Sequence, residues 1–336
     1  MEIGVIMPPL PKRAGYLARM VEDMGFATML FPDSQNLAPD VWSELVLAAN
    51  ATKTLQLGPS VSNSLTRDAA VTAGAALTLQ VESDGRALLG MGRGDSSVQR
   101  IGKREDKVAS FAAYLDAVQG YLRGDAVDRD GFASRLEWLP HVTAPKVPLF
   151  VAATGPRVIE VAARCADAVC LAAGADTTHL GELIAHTRAA AQAAGRDARS
   201  LRIGAFINCV INPDVTVARN ALRGTVATFA RFSAFRGSNL AHLPEPLQHA
   251  AQYLREHYDM REHTRADAAH TAGIGDAFVD WFAIAGPSEI AVRRFRELAA
   301  LGLDFCYVVA SSTNVAREIA TTSLLGLAQD VVPALR

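Results

Sequence analysis

The chain has 336 residues, half of them hydrophobic, a formal charge of -2 and a mean hydropathy of +0.13. That length and apolar content suit one large core, on the scale of single α/β barrels of about 250 residues or more. The near-neutral balance, without basic clusters interleaved with aromatics, argues against a nucleic-acid partner, and no run approaches ~18 uncharged apolar residues, which argues against a membrane span.

Ile3–Met7 reads as a first strand rather than a secretory leader, because it lacks a cationic start and a long apolar stretch. Leu17, Met20, Val21 and Met24 then recur at helical spacing, and Gly25 stops that helix. Ala27–Phe31 is the second strand. Asp40 caps a helix carrying Val41, Leu45 and Ala48. Leu55–Leu57 belongs to the third strand, and Asp68 caps a helix through Val81. Arg86–Leu89 leads into the fourth. A long helix through Val108, Leu115, Val118 and Leu122 ends at Gly124. Val147–Val151 and Ala168–Leu171 are the fifth and sixth strands. A helix from about His179 stops near Gly195, and Ile203–Ile211 is the seventh strand. Ser288 caps a helix that ends before Gly302, and Phe305–Val309 is the eighth strand.

Strand-like runs alternating with helices favour a parallel sheet. Several runs are apolar on both faces, as strands covered by helices should be. The first reading is an α/β fold: an eight-stranded (β/α) TIM barrel, one domain over 1–336. An open doubly wound sheet is the alternative. Asp128-Arg129-Asp130-Gly131 reads as a hairpin turn. Residues 212–285 are too long for a simple connection, so a helical insertion is expected between strands seven and eight, through Val226, Phe229 and Ala230 and again over 247–258.

Barrel sites form from the loops after the strands. Four such loops are rich in polar groups: Pro32-Asp33-Ser34-Gln35-Asn36; Gly58-Pro59-Ser60-Val61-Ser62-Asn63 with Thr66-Arg67-Asp68; Gly90-Met91-Gly92-Arg93-Gly94-Asp95-Ser96-Ser97; and Ala153-Thr154-Gly155-Pro156-Arg157. The third is GxGxG without a Rossmann frame. It is a turn needing glycine, or a place where a flat ring approaches the backbone. In the fourth, Pro156 suits a first helical position, and free N–H groups beside Thr154 and Arg157 suit a phosphate. A capped helix with nothing bound explains the same residues. His242, His249, His257, His263 and His270 crowd the insertion without metal spacing, so no metal site is expected. Glu256-His257 and Glu262-His263 read as solvated helix surface. Cys165, Cys170, Cys209 and Cys306 read as small buried hydrophobes in a reducing cytosol.

Taken together, these loops resemble the bacterial luciferase-like superfamily, and within it the methylenetetrahydromethanopterin reductase branch. The resemblance rests on Leu57–Asn63 with Thr66-Arg67, on Gly85-Arg86-Ala87 and Leu89–Asp95, on Ala153–Pro156 with Ala166-Asp167-Ala168, and on Phe282–Pro287. It implies a barrel with an isoalloxazine-type ring at the strands' C-terminal ends. It also implies a cis non-proline bond at Ser60–Val61, which backs the ring. Asp33 matches an acidic position near the reactive edge, and Thr154 and Gly155 match the cofactor phosphate site. Ile6 stands where the methanopterin reductases place glutamate, and Ser34 where the family often shows histidine.

The function expected is hydride transfer between coenzyme F420, or alternatively FMN, and a small-molecule substrate. Asp33 and Ser34 are the candidate catalytic residues. Ser60, Val61, Asn63, Gly92, Gly94, Asp95, Ser96, Thr154, Gly155, Pro156 and Arg157 are the candidate cofactor contacts. Asp33 serves as a proton donor only if burial favours its neutral form. The resemblance also implies a homodimer. A flavin- or F420-binding barrel without turnover, and a cofactor-free barrel acting on a phosphorylated sugar, are the competing readings.

Overall fold

The structure, a computed structural model, describes residues 1–233 and 245–336, so His242 lies outside the described residues. β1 (Glu2–Ile6) leads to α1 (Ala14–Asp23), and β2 (Thr28–Phe31) to α2 (Val41–Ala49). β3 (Gln56–Pro59) continues as β4 (Ser62–Asn63), followed by α3 (Ala69–Glu82). After β5 (Leu89–Gly92) come α4 (Ser96–Gln99) and α5 (Val108–Arg123). A hairpin of β6 (Val127–Arg129) and β7 (Phe132–Ser134) precedes β8 (Leu149–Ala153) and α6 (Pro156–Cys165). β9 (Ala168–Leu171) and α7 (Thr177–Ala193) lead to β10 (Arg202–Ile211). The insertion follows, with α8 (Val215–Ser233), α9 (Glu245–His257) and α10 (Asp276–Phe282). β11 (Ile284–Gly286), α11 (Ser288–Ala300), β12 (Phe305–Val309) and α12 (Arg317–Gly326) complete the order.

The sheet runs β3-β2-β1-β12-β10-β9-β8-β5-β4 and its pairings are parallel. Its two ends meet, because Leu57 donates to the Arg86 carbonyl at 3.0 Å and Leu88 donates to the Leu57 carbonyl at 2.8 Å. Closure leaves no sheet edge at that seam. With β3 and β4 as one wall, this is the eight-stranded TIM barrel, and the insertion lies between its seventh and eighth walls. β11 adds to β10 off the ring. The β6–β7 hairpin stands apart, turning at Asp130 and Gly131, both at positive φ. The Ser60–Val61 bond between β3 and β4 is cis.

Local chemistry sets most boundaries. Asp40 and Asp68 accept from the N–H of Ser43 and Ala70, so both helices start at a capped residue. The fifth wall begins at Leu149 rather than Val147, because Pro148 has no N–H to give the ladder. Ser288 is the first helical residue and not the cap, a position that Pro287 holds in extended backbone. No helix among the described residues is long and apolar enough to cross a membrane.

The barrel interior is packed glycine against aromatic. Leu30, Leu88, Phe150, Cys170, Phe206, Phe305 and Tyr307 form its inner cluster. Tyr307 lies 4.7 Å from Phe305, 5.4 Å from Phe150 and 6.0 Å from Phe206, ring centre to ring centre. A Cβ on Gly204 would come within 2.2 Å of the Phe305 ring, and one on Gly90 within 2.3 Å of the Phe150 ring. The outer faces of the same strands pack Val5, Met29, Leu57, Val151 and Ile207 under the helices. Such a filled barrel is a core and not a channel, which confines polar chemistry to its mouth.

Gly204→Ala should therefore destabilise the protein by about 2 kcal/mol or more, as overpacking of a filled core does. Gly155→Ala, whose added carbon meets nothing within 4 Å, is the control and should stay within about 0.5 kcal/mol. Urea unfolding of both variants measures the difference.

Candidate active site

Three loops meet at the C-terminal mouth and bond to one another through side chains. Asp33, 6% exposed just after β2, accepts at one carboxylate oxygen from the Ser62 hydroxyl at 2.7 Å and from the Arg67 guanidinium. Arg67 also reaches Asp40 at 3.3 Å. The Ser34 hydroxyl pairs with that of Ser96 at 3.0 Å, and Gln35 donates to the Ser97 carbonyl at 2.6 Å. Asn63, 1% exposed, donates to the Ser97 hydroxyl at 3.1 Å while its oxygen accepts from the N–H groups of Leu65 and Thr66. Buried polar groups must be bonded, and here they satisfy one another across three walls. The result is a fixed polar rim over an apolar interior.

Asp33 thus sits as an acceptor between a hydroxyl and a guanidinium, a geometry that suits holding Arg67 and Ser62 rather than donating a proton. The glycine loop also serves packing. A Cβ on Gly92 would lie 2.7 Å from Val61, and one on Gly94, at φ +94, would lie 2.9 Å from Val98. The space those two residues vacate is filled by protein. Val61, partly buried, packs on the inner cluster.

The insertion closes over this rim. Phe229 of α8 packs at a tilt on Phe206 of the interior, 5.9 Å between ring centres. Arg231, two residues on, pairs with Asp95, which also accepts from Gln99 at 3.0 Å. The Arg231 guanidinium lies over the Tyr258 ring at 4.5 Å. The Tyr258 hydroxyl meets Thr228 at 3.0 Å and His263 Nδ1 at 2.7 Å, and its ring packs on His270 at 4.4 Å. Arg100 donates to the Met260 carbonyl at 2.8 Å, a second tie between loop and insertion. His263 is therefore not the solvated surface that the sequence suggested, and His270 is buried beside it. His270 is 1% exposed, and burial pushes the His263 imidazole down to about 4. His257 is exposed, as expected, and so is His249. No cluster of potential metal ligands occurs among the described residues.

Thr154–Arg157 forms a separate patch at the end of β8, one wall from β5. Gly155 is the cap of α6 and Pro156 its first residue. The Arg157 N–H has no acceptor within its own helix, as at any helix start. Thr154 and Gly155 are half-buried and Arg157 is exposed. The position a Cβ on Gly155 would take is open, with nothing within 4 Å. Unlike Gly92 and Gly94, this glycine leaves room outside the protein's own packing. A groove of about 1460 Å³ lies elsewhere, between α11 and α12 beside Pro287, Arg296, Leu325 and Gln329. It holds none of these residues.

The described geometry adds residues that sequence reasoning did not select. Ser62, Arg67 and Ser97 lay inside the quoted loops, but nothing in the sequence told them from their neighbours. Arg231, Tyr258 and His263 are brought to the mouth only by the fold of the insertion. Asn208 had a weak signal, as a lone polar residue in the apolar run Phe206–Ile211.

The sequence matches the family model described as luciferase-like monooxygenase over residues 6–304. The chain belongs to that family. It is 28% identical over 327 residues to a 5,10-methylenetetrahydromethanopterin reductase of Archaeoglobus fulgidus, covering 96% of this chain and 95% of that protein. It is 28% identical over 188 residues, 54% of this chain and 52% of that protein, to an F420-dependent hydroxymycolic acid dehydrogenase of Mycobacterium tuberculosis. The fold is shared with the coenzyme F420 dependent tetrahydromethanopterin reductase of Methanopyrus kandleri, with a TM-score of 0.76 at 21% identity over 100% of this chain and 99% of that one. As a member of the luciferase-like family, this chain is an enzyme whose rim and helix start occupy the barrel face where such sites form.

The buried imidazole makes stability depend on pH. The unfolded chain takes up a proton near pH 6.5, whereas folded His263 resists until about pH 4. Stability is thus complete above about pH 6.5 and falls as the pH drops toward 4. Urea unfolding at pH 7 and pH 5 should show a smaller loss for His263→Gln than for the wild type, with a remainder from His270, which burial also pushes down.

Proposed function

We propose that this luciferase-like enzyme is an F420-dependent oxidoreductase that moves a hydride between the deazaflavin ring and a small organic molecule. FMN is the alternative cofactor. The observation that carries the reading is the open helix start at Gly155–Arg157, two walls away from the Val61 bulge. A flat ring with an anionic tail needs both an apolar backing and an anion site, and those features offer them on walls separated by β5 alone. The residues fit the group, since Gly155 leaves its space open where Gly92 and Gly94 do not. When bound, the cofactor supplies the hydride chemistry.

The chain's own residues bind and orient. Thr154, Gly155, Pro156 and Arg157 hold the anionic tail, through a hydroxyl, a backbone N–H and a fixed charge at a helix start. Ser60 and Val61 back the ring, with Gly92 giving Val61 its seat and Gly94 making room for Val98. Asn63, Asp95 and Ser96 frame the ring's polar edge. Asp33 is a positioning residue that fixes Arg67 and Ser62, and Ser34 presents a hydroxyl beside Ser96. The F420-dependent hydroxymycolic acid dehydrogenase among its relatives supports F420 over FMN.

The reading extends to the whole protein. The 1–336 chain acts as one domain, with the insertion as a cover over the substrate side. Its free cysteines, three of them buried, suit a reducing cytosol. Tyr16, Leu47, Val71 and Val81, exposed on α1, α2 and α3, supply an apolar face for a homodimer.

Fluorescence titration with F420 and with FMN tests the cofactor. The wild type should bind F420 more tightly than FMN. Gly155→Val should weaken F420 binding at least tenfold, about 1.4 kcal/mol, with little change in melting temperature. Equal binding by both proteins, or no F420 binding by the wild type, overturns the assignment.

A further inference from the structure

Asn208 is 1% exposed, and neither its amide nitrogen nor its amide oxygen has a partner among the described residues. Strand alternation puts it on the face of Phe206, inside the barrel and one layer nearer the mouth. The parallel register sets Asn208 beside Val309, and Val309 beside Ile6. Paired residues of parallel strands share a face, so the carboxamide stands beside Val309 and, one wall further, Ile6, both apolar and uncharged. A buried amide bonded at neither end is unfavourable in the protein alone. It is a contact prepared for whatever fills the mouth.

The sheet order says which ligand that is. β10 is four walls from β3 in one direction and four from β4 in the other. Asn208 therefore stands across the barrel from Val61. A flat ring backed by Val61 turns its other face toward Asn208, and that face is where a hydride partner must lie. We infer that Asn208 is the specificity residue for the substrate's oxygen, and that the substrate is a neutral carbonyl compound or the matching alcohol. The amide N–H₂ donates to a carbonyl oxygen, and the amide C=O accepts from a hydroxyl, so one side chain serves both oxidation states. It transfers no proton. Ile6, Val309 and Asn208 carry no charge, so a carboxylate would be buried there without a cation.

The inference rests on the F420 reading, and the test separates the two. Asn208→Leu keeps the volume and removes the amide. Its melting temperature without ligand should equal or exceed that of the wild type, because an unbonded polar group has gone. Its F420 affinity should stay within about twofold of the wild type. The F420-loaded wild type, titrated with cyclohexanone and followed by ring absorbance, should bind it at least about tenfold more tightly than cyclohexanecarboxylate, and Asn208→Leu should lose at least about tenfold for cyclohexanone, ~1.4 kcal/mol. Equal cyclohexanone binding by variant and wild type overturns the assignment. So does a marked drop in melting temperature, which makes the amide structural, or a fall in F420 affinity, which makes it a cofactor contact. A wild type that binds F420 but prefers the carboxylate overturns the substrate class alone. A wild type that ignores F420 overturns the parent reading and this one with it.

Discussion

Ring against glycine inside the barrel is the contact on which the rest of the molecule depends. Phe305 occupies the space beside Gly204, and Phe150 the space beside Gly90. Those pairs let four aromatic rings fill an interior only eight walls wide. Water and ligands are excluded from the lower barrel, so the chain's polar loops can act only at the top. The same filling sets the depth of the mouth. Ile6, Val309 and Asn208 lie one layer above Tyr307, and the Asp33 rim lies beyond them.

The rim is built from mutual obligation. Asp33, Ser62 and Arg67 tie the second wall to the third, and Ser34, Asn63, Ser96 and Ser97 tie both to the fourth. Each group is buried or half-buried, and each would be costly alone. A site assembled in this way is rigid before anything binds, which is what orientation of a flat ring and its partner requires. The insertion joins the same network through Arg231 and Asp95, with Tyr258 and His263 packed behind. Whatever moves the insertion must also disturb the glycine loop.

Much of the fold was legible. The helix starts at Asp40 and Asp68, the stops at Gly25 and Gly124, and the positive-φ turn at Asp130-Gly131 follow from local chemistry that a few residues contain. The parallel arrangement followed from strands apolar on both faces. Ser288 and the start of the fifth wall were misplaced by one or two residues, where a neighbouring proline decided the boundary. Inside the insertion the reading failed for His263. Its neighbour Glu262 looks solvated in sequence, yet Tyr258 bonds the His263 ring.

What the sequence by itself determined was the alternation of buried strands with amphipathic helices, the caps, and the loops that would gather at one end. Those depend on periodicity and on residues a few positions apart. Only the tertiary structure decided which glycine faces protein and which faces open space, and which loop side chains bond one another. It alone set Asn208 across the mouth from Val61. These are relations between walls distant in sequence, fixed by sheet order and register, and no local pattern encodes a distance across a closed barrel.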